Sequence, residues 1–287
     1  MSEFARRAVA YAYEVKCYSG QKLDKEVTED VRHRNNAGRT AGRYNKNLFP
    51  NSKLLKLAQK KARFSREVFN FYTLPWQGQG VRILPTSVFM KFSKDMASAI
   101  GDFETAATDF ISNFQLEMDA AMRDYVALGS MFSAWDYPDP SQVAKLFSAT
   151  LNPKPIVTSG DFRVNLNDQY LEQIKLEYER EFKASQQDAN QALWDRLQGV
   201  VEAMGERLSD PKAIFRDSLV SNVENLVEVM DGLNVFDDNA LADFTKEVRD
   251  DLTNKSPKEL REDVNVRKSQ ADKAGEILAR MKAAGAV

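Results

Sequence analysis

The sequence predicts a mainly α protein: a long antiparallel helical hairpin, coiled-coil-like, with a small N-terminal β-containing part and a C-terminal helical bundle. Three observations carry that expectation. Phe89, Phe92, Met96, Ile100, Phe103, Ala107, Phe110, Phe114, Met118, Ala121, Tyr125 and Leu128 recur in steps of 3 or 4 with a mean near 3.5, the spacing of a helix–helix seam. Leu171, Ile174, Tyr178, Phe182, Ser185, Ala189, Leu193, Leu197, Val200, Met204 and Leu208 repeat the pattern with a mean of 3.7. Each helix of about 40 residues would span roughly 60 Å, so the two are expected to pair. Between them, Pro138, Pro140, Pro153, Pro155 and Gly160 turn the chain. The organisation expected is therefore a basic N-terminal region over 1–85, the hairpin over 86–208 with a structured tip at 131–166, and a helical region over 209–287.

The elements follow in order. Val9, Tyr11, Tyr13, Val15 and Cys17 alternate with smaller or polar residues, which is the period of a strand with those side chains inward. Ser19-Gly20-Gln21-Lys22 reads as a turn, and the Asn-, Gly- and Arg-rich stretch 34–47 as a loop. A helix is expected from about Ser52 to Phe71, capped by Asn51 or Ser52, with Leu54, Leu57, the Lys61 stem, Phe64, Val68 and Phe71 on one face. Two prolines and two glycines in 73–85 exclude helix there. Thr86 or Ser87 caps the first long helix, and Ser141–Phe147 adds a short one. Ile156-Val157 and Phe162-Arg163-Val164 read as short extended pieces. In the last third, Asp210-Pro211 reads as a helix start with Gly232 as its stop. Asp237 or Asp238 starts the next helix, Ser256-Pro257-Lys258-Glu259 is a capping box, and a final helix covers about 264–284.

Chemistry is narrowed by what is scarce. One cysteine, Cys17, excludes an intramolecular disulfide and multi-cysteine zinc sites, and one histidine, His33, removes most histidine-based catalysis. Neither a phosphate-binding loop nor a Gly-x-Ser-x-Gly elbow occurs. The carboxylate pairs Asp237-Asp238, Asp250-Asp251 and Glu262-Asp263 fall where helix starts and polar faces account for them. The expectation is a protein that is not an enzyme, carries no cofactor and no metal, and resides in the cytoplasm. No run of about 18 apolar residues exists, so no membrane partner is expected.

The formal net charge of −2 conceals an uneven distribution. Residues 31–66 contain 11 Lys and Arg and no Asp or Glu, leaving −13 on the rest of the chain. Two readings stay open. The basic stretch can dock on acidic residues of its own chain or of a second copy, or it can take an external polyanion. In the second reading Arg32, Arg34, Arg39, Arg43, Lys46, Lys53, Lys60 and Lys61 neutralise phosphate, while Tyr44, Phe49 or Trp76 stack on bases of DNA or RNA.

Five segments carry a resemblance: Val15-Lys16-Cys17-Tyr18-Ser19-Gly20-Gln21-Lys22, Leu74-Pro75-Trp76, Arg82-Ile83-Leu84-Pro85, Gly160-Asp161-Phe162-Arg163 and Leu208-Ser209-Asp210-Pro211-Lys212-Ala213-Ile214-Phe215-Arg216-Asp217. Together they resemble a family of uncharacterised helical proteins of tailed bacteriophages and mobile elements. Tyr18 stands where that family commonly has tryptophan. The resemblance implies a phage-encoded protein in the host cytoplasm. Because such genes are often encoded near MoxR-like AAA+ ATPases and von Willebrand type A proteins, it also implies a partner role for an ATPase. It assigns no catalytic residue. Two functions are therefore expected in competition: a phage accessory protein that binds nucleic acid, and a helical adaptor for an AAA+ ATPase or a host protein, as a single chain or a homo-oligomer.

Overall fold

The computed structural model describes residues 3–78, 80–123, 128–156, 168–210 and 212–284. In chain order the elements are α1 (Glu3–Arg7), β1 (Ala8–Lys16), β2 (Gln21–Leu23), α2 (Lys25–Arg34), β3 (Asn45–Asn47), α3 (Lys53–Tyr72), β4 (Leu74–Pro75), β5 (Val81–Pro85), α4 (Phe89–Ser112) and α5 (Phe114–Arg123). There follow α6 (Pro140–Val143), β6 (Ser148–Lys154), α7 (Asp168–Ser209), α8 (Ser218–Leu233), α9 (Asn239–Leu252), α10 (Pro257–Glu262) and α11 (Val264–Ala283). The protein is mainly α, with β1 to β5 within residues 8–85, β6 in mid-chain and a helical C-terminal third. The extended pieces expected at Ile156-Val157 and 162–164 lie mainly outside the described residues, as does Tyr125 of the first long stripe.

Two compact units divide the chain, one made of Met1–Ala12, Asn70–Phe92 and Asn152–Val287, the other of Tyr13–Phe69 and Ser93–Leu151. This differs from the three consecutive blocks expected from chain punctuation. β1, α3, α4 and β6 each run through a boundary, so the units are not defined by the turns between elements.

In the first unit, Ala8–Ala12 of β1 pairs antiparallel with β5 (Ala8 opposite Pro85, Ala12 opposite Val81), and β4 pairs antiparallel with β5. The sheet as a whole has the order β4-β5-β1-β6, and β6, like β1, runs through a unit boundary. The second long stripe forms α7 as expected, and its most extensive packing partner is α11, followed by α8. The C-terminal half of α7 buries Leu193, Leu197, Val201, Met204 and Leu208. Its close approach to α11 rests on small residues, since a Cβ on Gly205 would lie 3.4 Å from the Ala274 Cβ.

The helix expected to start at Asp210-Pro211 starts instead at Ser218. Arg267 of α11 explains the delay: its guanidinium donates to the carbonyls of Arg207 (3.0 Å), Leu208 (3.1 Å), Ala213 (3.0 Å) and Asp210. The segment after α7 thus closes the end of that helix rather than opening the next one. Gly232 lies inside α8 rather than ending it, and a Cβ there would fall 2.6 Å from Val88 Cγ1. The later starts are as the sequence predicts. Asp238 caps α9 through the Leu241 amide at 3.0 Å. Ser256 and Glu259 form the capping box of α10, and Asp263 caps α11.

In the second unit, α4 and α5 bury the predicted stripe at Met96, Phe103, Ala107, Phe110 and Phe114. The single helix expected here is interrupted at Asn113, whose own amide and side-chain Nδ2 both donate to the Asp109 carbonyl (3.2 and 2.9 Å). This local competition distorts one turn, and the next bond, Glu117 N to Asn113 O, resumes at 2.9 Å. Leu48, Phe49, Leu55, Phe110, Phe114, Tyr137 and Val143 form one core cluster. Ala62, Phe103 and Ala107 form another, with Val15 and Cys17 packed against it. Gly20, at φ +67, is required on two counts: the positive φ, and a Leu55 Cδ2 that would lie 2.7 Å from any Cβ.

Two corrections concern which face is inward. In β1 the correction applies to the first half, where Ala8 and Ala10 are buried and Val9 and Tyr11 half-buried; further on Tyr13 is buried, and Val15 and Cys17 pack against the core as expected. In α3 the buried residues are Leu55, Ala58, Ala62, Ser65, Phe69 and Tyr72, each one position after the expected Leu54, Leu57, Lys61, Phe64, Val68 and Phe71. One residue is about 100° of helix rotation. The reason is fit. Ala58, Ala62 and Ser65 permit a close approach to neighbouring elements, and the buried Tyr13 hydroxyl donates to Ser65 Oγ at 2.8 Å. Leu57 and Phe64 are left 41% and 47% exposed. The elements α2, β2, β3 and β6 carried no recognised periodicity; α2 has no buried residue, so its sequence lacks an apolar stripe.

Candidate functional site

The basic stretch 31–66 lies in the second unit, and the fold separates its cations into two groups. The first group is neutralised within the chain. On α2, Arg32 pairs with Glu29, and Arg34 pairs with Asp30 at 2.9 Å. On α3, Lys61 pairs with Asp102 of α4 at 2.6 Å. Lys46 is 7% exposed; its ammonium lies 2.6 Å from Asp136 and 3.1 Å from Asp24 and donates to the Met131 carbonyl at 2.7 Å. Burial alone would pull the Lys46 ammonium down, but the Asp136 and Asp24 carboxylates outweigh it and hold it above the ordinary lysine value. Asp24 is held below the ordinary carboxylate value, chiefly by the Val27 amide that it caps and also by Lys46. Lys46 is therefore a structural cation joining β3, the start of α2 and the 131–136 segment. It is not available to phosphate as the sequence pattern suggested.

The second group is open. Arg39, Arg43, Lys53, Lys60 and Arg63 are exposed and have no ion-pair partner among the described residues. Lys56 is exposed and donates to the Pro50 carbonyl at 2.5 Å. Arg66 lies over the Tyr13 ring at 5.6 Å. Lys53, Lys56, Lys60 and Arg63 recur at helical spacing, and the one-residue rotation of α3 sets Leu57 and Phe64 on the same outward side. The balance of the whole unit is less one-sided than the stretch itself: it holds 17 Lys and Arg against 15 Asp and Glu, a net +2, because α4 and α5 contribute carboxylates.

The aromatic candidates also separate. Tyr44 is exposed, and its backbone is fastened at both ends: its amide donates to Thr28 Oγ1 at 3.0 Å, and its carbonyl accepts from the Asp24 amide at 2.9 Å. Phe49 is core. Trp76 is 2% exposed and belongs to the first unit, where it stacks on Phe4 (4.9 Å between centroids) and meets Phe182 edge-on. It leaves the set of candidate stacking residues. The ring that sequence reading passed over is Trp135, 94% exposed. The available signal was a tryptophan in the turn-forming run Ala134-Trp135-Asp136-Tyr137-Pro138, where no periodic stripe requires a core residue.

The clustered carboxylates have structural duties. Asp237 pairs with Arg7 at 2.5 Å, Asp251 with Lys273 at 2.7 Å, and Asp263 caps α11. In the first unit, a cavity of about 340 Å³ is lined by Lys183, Gln186, Gln187, Asn190, Phe236 and Asp238. Asp238 accepts from Asn190 Nδ2 (2.8 Å), Trp194 Nε1 (3.0 Å) and the Leu241 amide (3.0 Å). Burial works to raise this carboxyl, but the three donors outweigh it and hold the group below its ordinary value, a poor setting for proton transfer near neutrality. Among the described residues no group of three or more His, Cys, Asp and Glu can hold a metal ion, and no helix is long and apolar enough to cross a membrane. No protein-family model, curated protein or solved structure matches the chain.

Proposed function

We propose that this chain is a non-enzymatic protein that binds nucleic acid on its second unit. The observation that supports the reading is the outward face of α3, where Lys53, Lys60 and Arg63 stand without carboxylate partners beside exposed Leu57 and Phe64. Cations without internal partners supply the counterion-releasing contacts to phosphate, and an exposed ring among them offers a face to a base. Arg39, Arg43 and Tyr44 extend the set; Lys46 drops to a structural role, and Arg32, Arg34 and Lys61 are paired with carboxylates of the chain. The test is fluorescence anisotropy with a labelled oligonucleotide at about 50 and 200 mM salt. Four phosphate contacts by Lys53, Lys56, Lys60 and Arg63 give a log–log salt slope of roughly −3 for a single strand. Exchanging Lys60 and Arg63 for Glu removes at least half of it. Absence of binding at the lower salt removes the reading.

A second reading, the helical adaptor for an AAA+ ATPase or a host protein, is favoured by one observation. The first three turns of α7 expose Tyr170 and Ile174 one turn apart on one face, and Leu176 on another, and an exposed apolar pair at i,i+4 suits a partner helix. Photo-crosslinking from position 174 in infected-cell lysate checks it; recovery of neither kind of partner discards it.

A further inference from the structure

We infer that Trp135 is a base-stacking ring, and that the nucleic acid taken by the second unit is single-stranded. The inference rests on the nucleic-acid reading above but on different residues. Among the described residues Trp135 is the most exposed of the large apolar side chains, at 94%, and the turn that carries it is fastened at several points. It lies in the tight 3₁₀ turn Ala134–Asp136, closed by the Asp136 amide on the Ser133 carbonyl at 3.2 Å. The residue after it, Asp136, is locked by Lys46 at 2.6 Å. The next, Tyr137, is buried, and its hydroxyl donates to the Leu48 carbonyl at 3.1 Å. A tryptophan shed from a core by mischance would sit on a loose segment. This one is presented by a turn fastened through a buried ion cluster and a core tyrosine, so little ordering entropy opposes its use in binding.

The neighbourhood selects the ligand. Lys46 also holds Asp24, whose amide donates to the Tyr44 carbonyl at 2.9 Å. Exposed Tyr44, with Arg43 beside it, and Trp135 thus flank one buried cluster. Neither Arg39 nor Arg43 has an ion-pair partner among the described residues. Two exposed rings, one of them next in sequence to an arginine without an ion-pair partner, match a strand whose bases are splayed out, with phosphates on the cations and bases on the rings. A duplex keeps its base faces stacked inside and gives the indole nothing to meet. An acidic peptide satisfies the arginines but brings no planar face to the ring.

The experiment uses the emission of Trp135 itself. Trp76 and Trp194 are buried, so the red edge of the intrinsic fluorescence reports Trp135. Oligo-dT of twelve nucleotides is titrated at low salt, with anisotropy of the labelled strand in parallel, against a duplex of equal length and against poly-glutamate. Expected are quenching of the red edge by oligo-dT alone, and a loss of affinity of roughly 5- to 150-fold in Trp135→Ala, with Trp135→Phe between. Because the side chain is exposed, both variants fold, and circular dichroism checks it. Oligo-dT binding that leaves the red edge unchanged, or that is equal in Trp135→Ala and wild type, overturns the inference while the nucleic-acid reading stands. Equal quenching by duplex or by poly-glutamate overturns the choice of a single strand. No anisotropy change with wild type removes the reading and the inference together.

Discussion

Replacing Lys46 with methionine is the sharpest probe of how this fold uses its basic residues. Methionine keeps the volume of the lysine stem and deletes the ammonium. The Asp24 and Asp136 carboxylates, 3.1 and 2.6 Å from that ammonium and themselves largely buried, are left facing each other without a counter-charge, and the Met131 carbonyl loses its donor. Breaking a buried ion pair by removing one partner costs about 3–5 kcal/mol, because the remaining charge stays desolvated. Domain stabilities are about 5–15 kcal/mol, so the variant should unfold at clearly lower urea. The triple variant Lys46→Met, Asp24→Asn, Asp136→Asn removes all three charges and should recover most of that loss, since neutral replacements of a buried cluster are often neutral in stability. Urea unfolding followed by circular dichroism measures each variant. At a temperature where Lys46→Met remains folded, the salt slope of its oligonucleotide binding should match wild type, since no phosphate contact is lost, while the loosened Asp136 anchor beside Trp135 lowers its affinity. A stability loss under about 1 kcal/mol, the range of exposed ion pairs, would refute the structural role; so would unchanged stability with a lowered salt slope, which would return Lys46 to phosphate.

Three further predictions follow from the same geometry. Leu55→Ala should cost about 2–5 kcal/mol and Leu57→Ala within about 0.5 kcal/mol; the reverse order in thermal unfolding would restore the inward face expected from sequence. Burial pushes the Cys17 thiol up to about 11 from 9.0, so at pH 8 its iodoacetamide alkylation should be about 100-fold slower in the folded chain than in urea, as read by mass spectrometry. Asp24 has a folded pKa below the ordinary 3.8, first because of the Val27 amide and then because of Lys46. Its contribution to stability is therefore present above that value and fades as pH falls through the lower folded value. In an acid titration of stability, Asp24→Asn should flatten the slope below about pH 4 while keeping the helix cap, and an unchanged slope would contradict it.

The sequence by itself determined the helical character, because apolar steps of 3 and 4 state that a helix has a buried side. It located the starts of α9, α10 and α11 to within a residue, because an Asp cap or a Ser-x-x-Glu box satisfies the orphan amides of the first turn from within the same few residues. It placed the basic stretch correctly along the chain. What it left undetermined is which surface each side chain meets. In α3 the larger residues Leu57 and Phe64 suggested the core, but the neighbours required the small Ala58, Ala62 and Ser65, and fit decided the face. Whether a lysine is structural or available depends on carboxylates distant in sequence: Lys46 meets Asp136, and Lys61 meets Asp102. Trp76 and Trp135 show the same division. Both lie in turn-rich segments, yet one is enclosed by Phe4 and Phe182 and the other stands on an anchored turn in the open. Local chemistry sets caps and periodicity, whereas burial and charge pairing are properties of surfaces brought together from remote positions, so only the tertiary structure decided them.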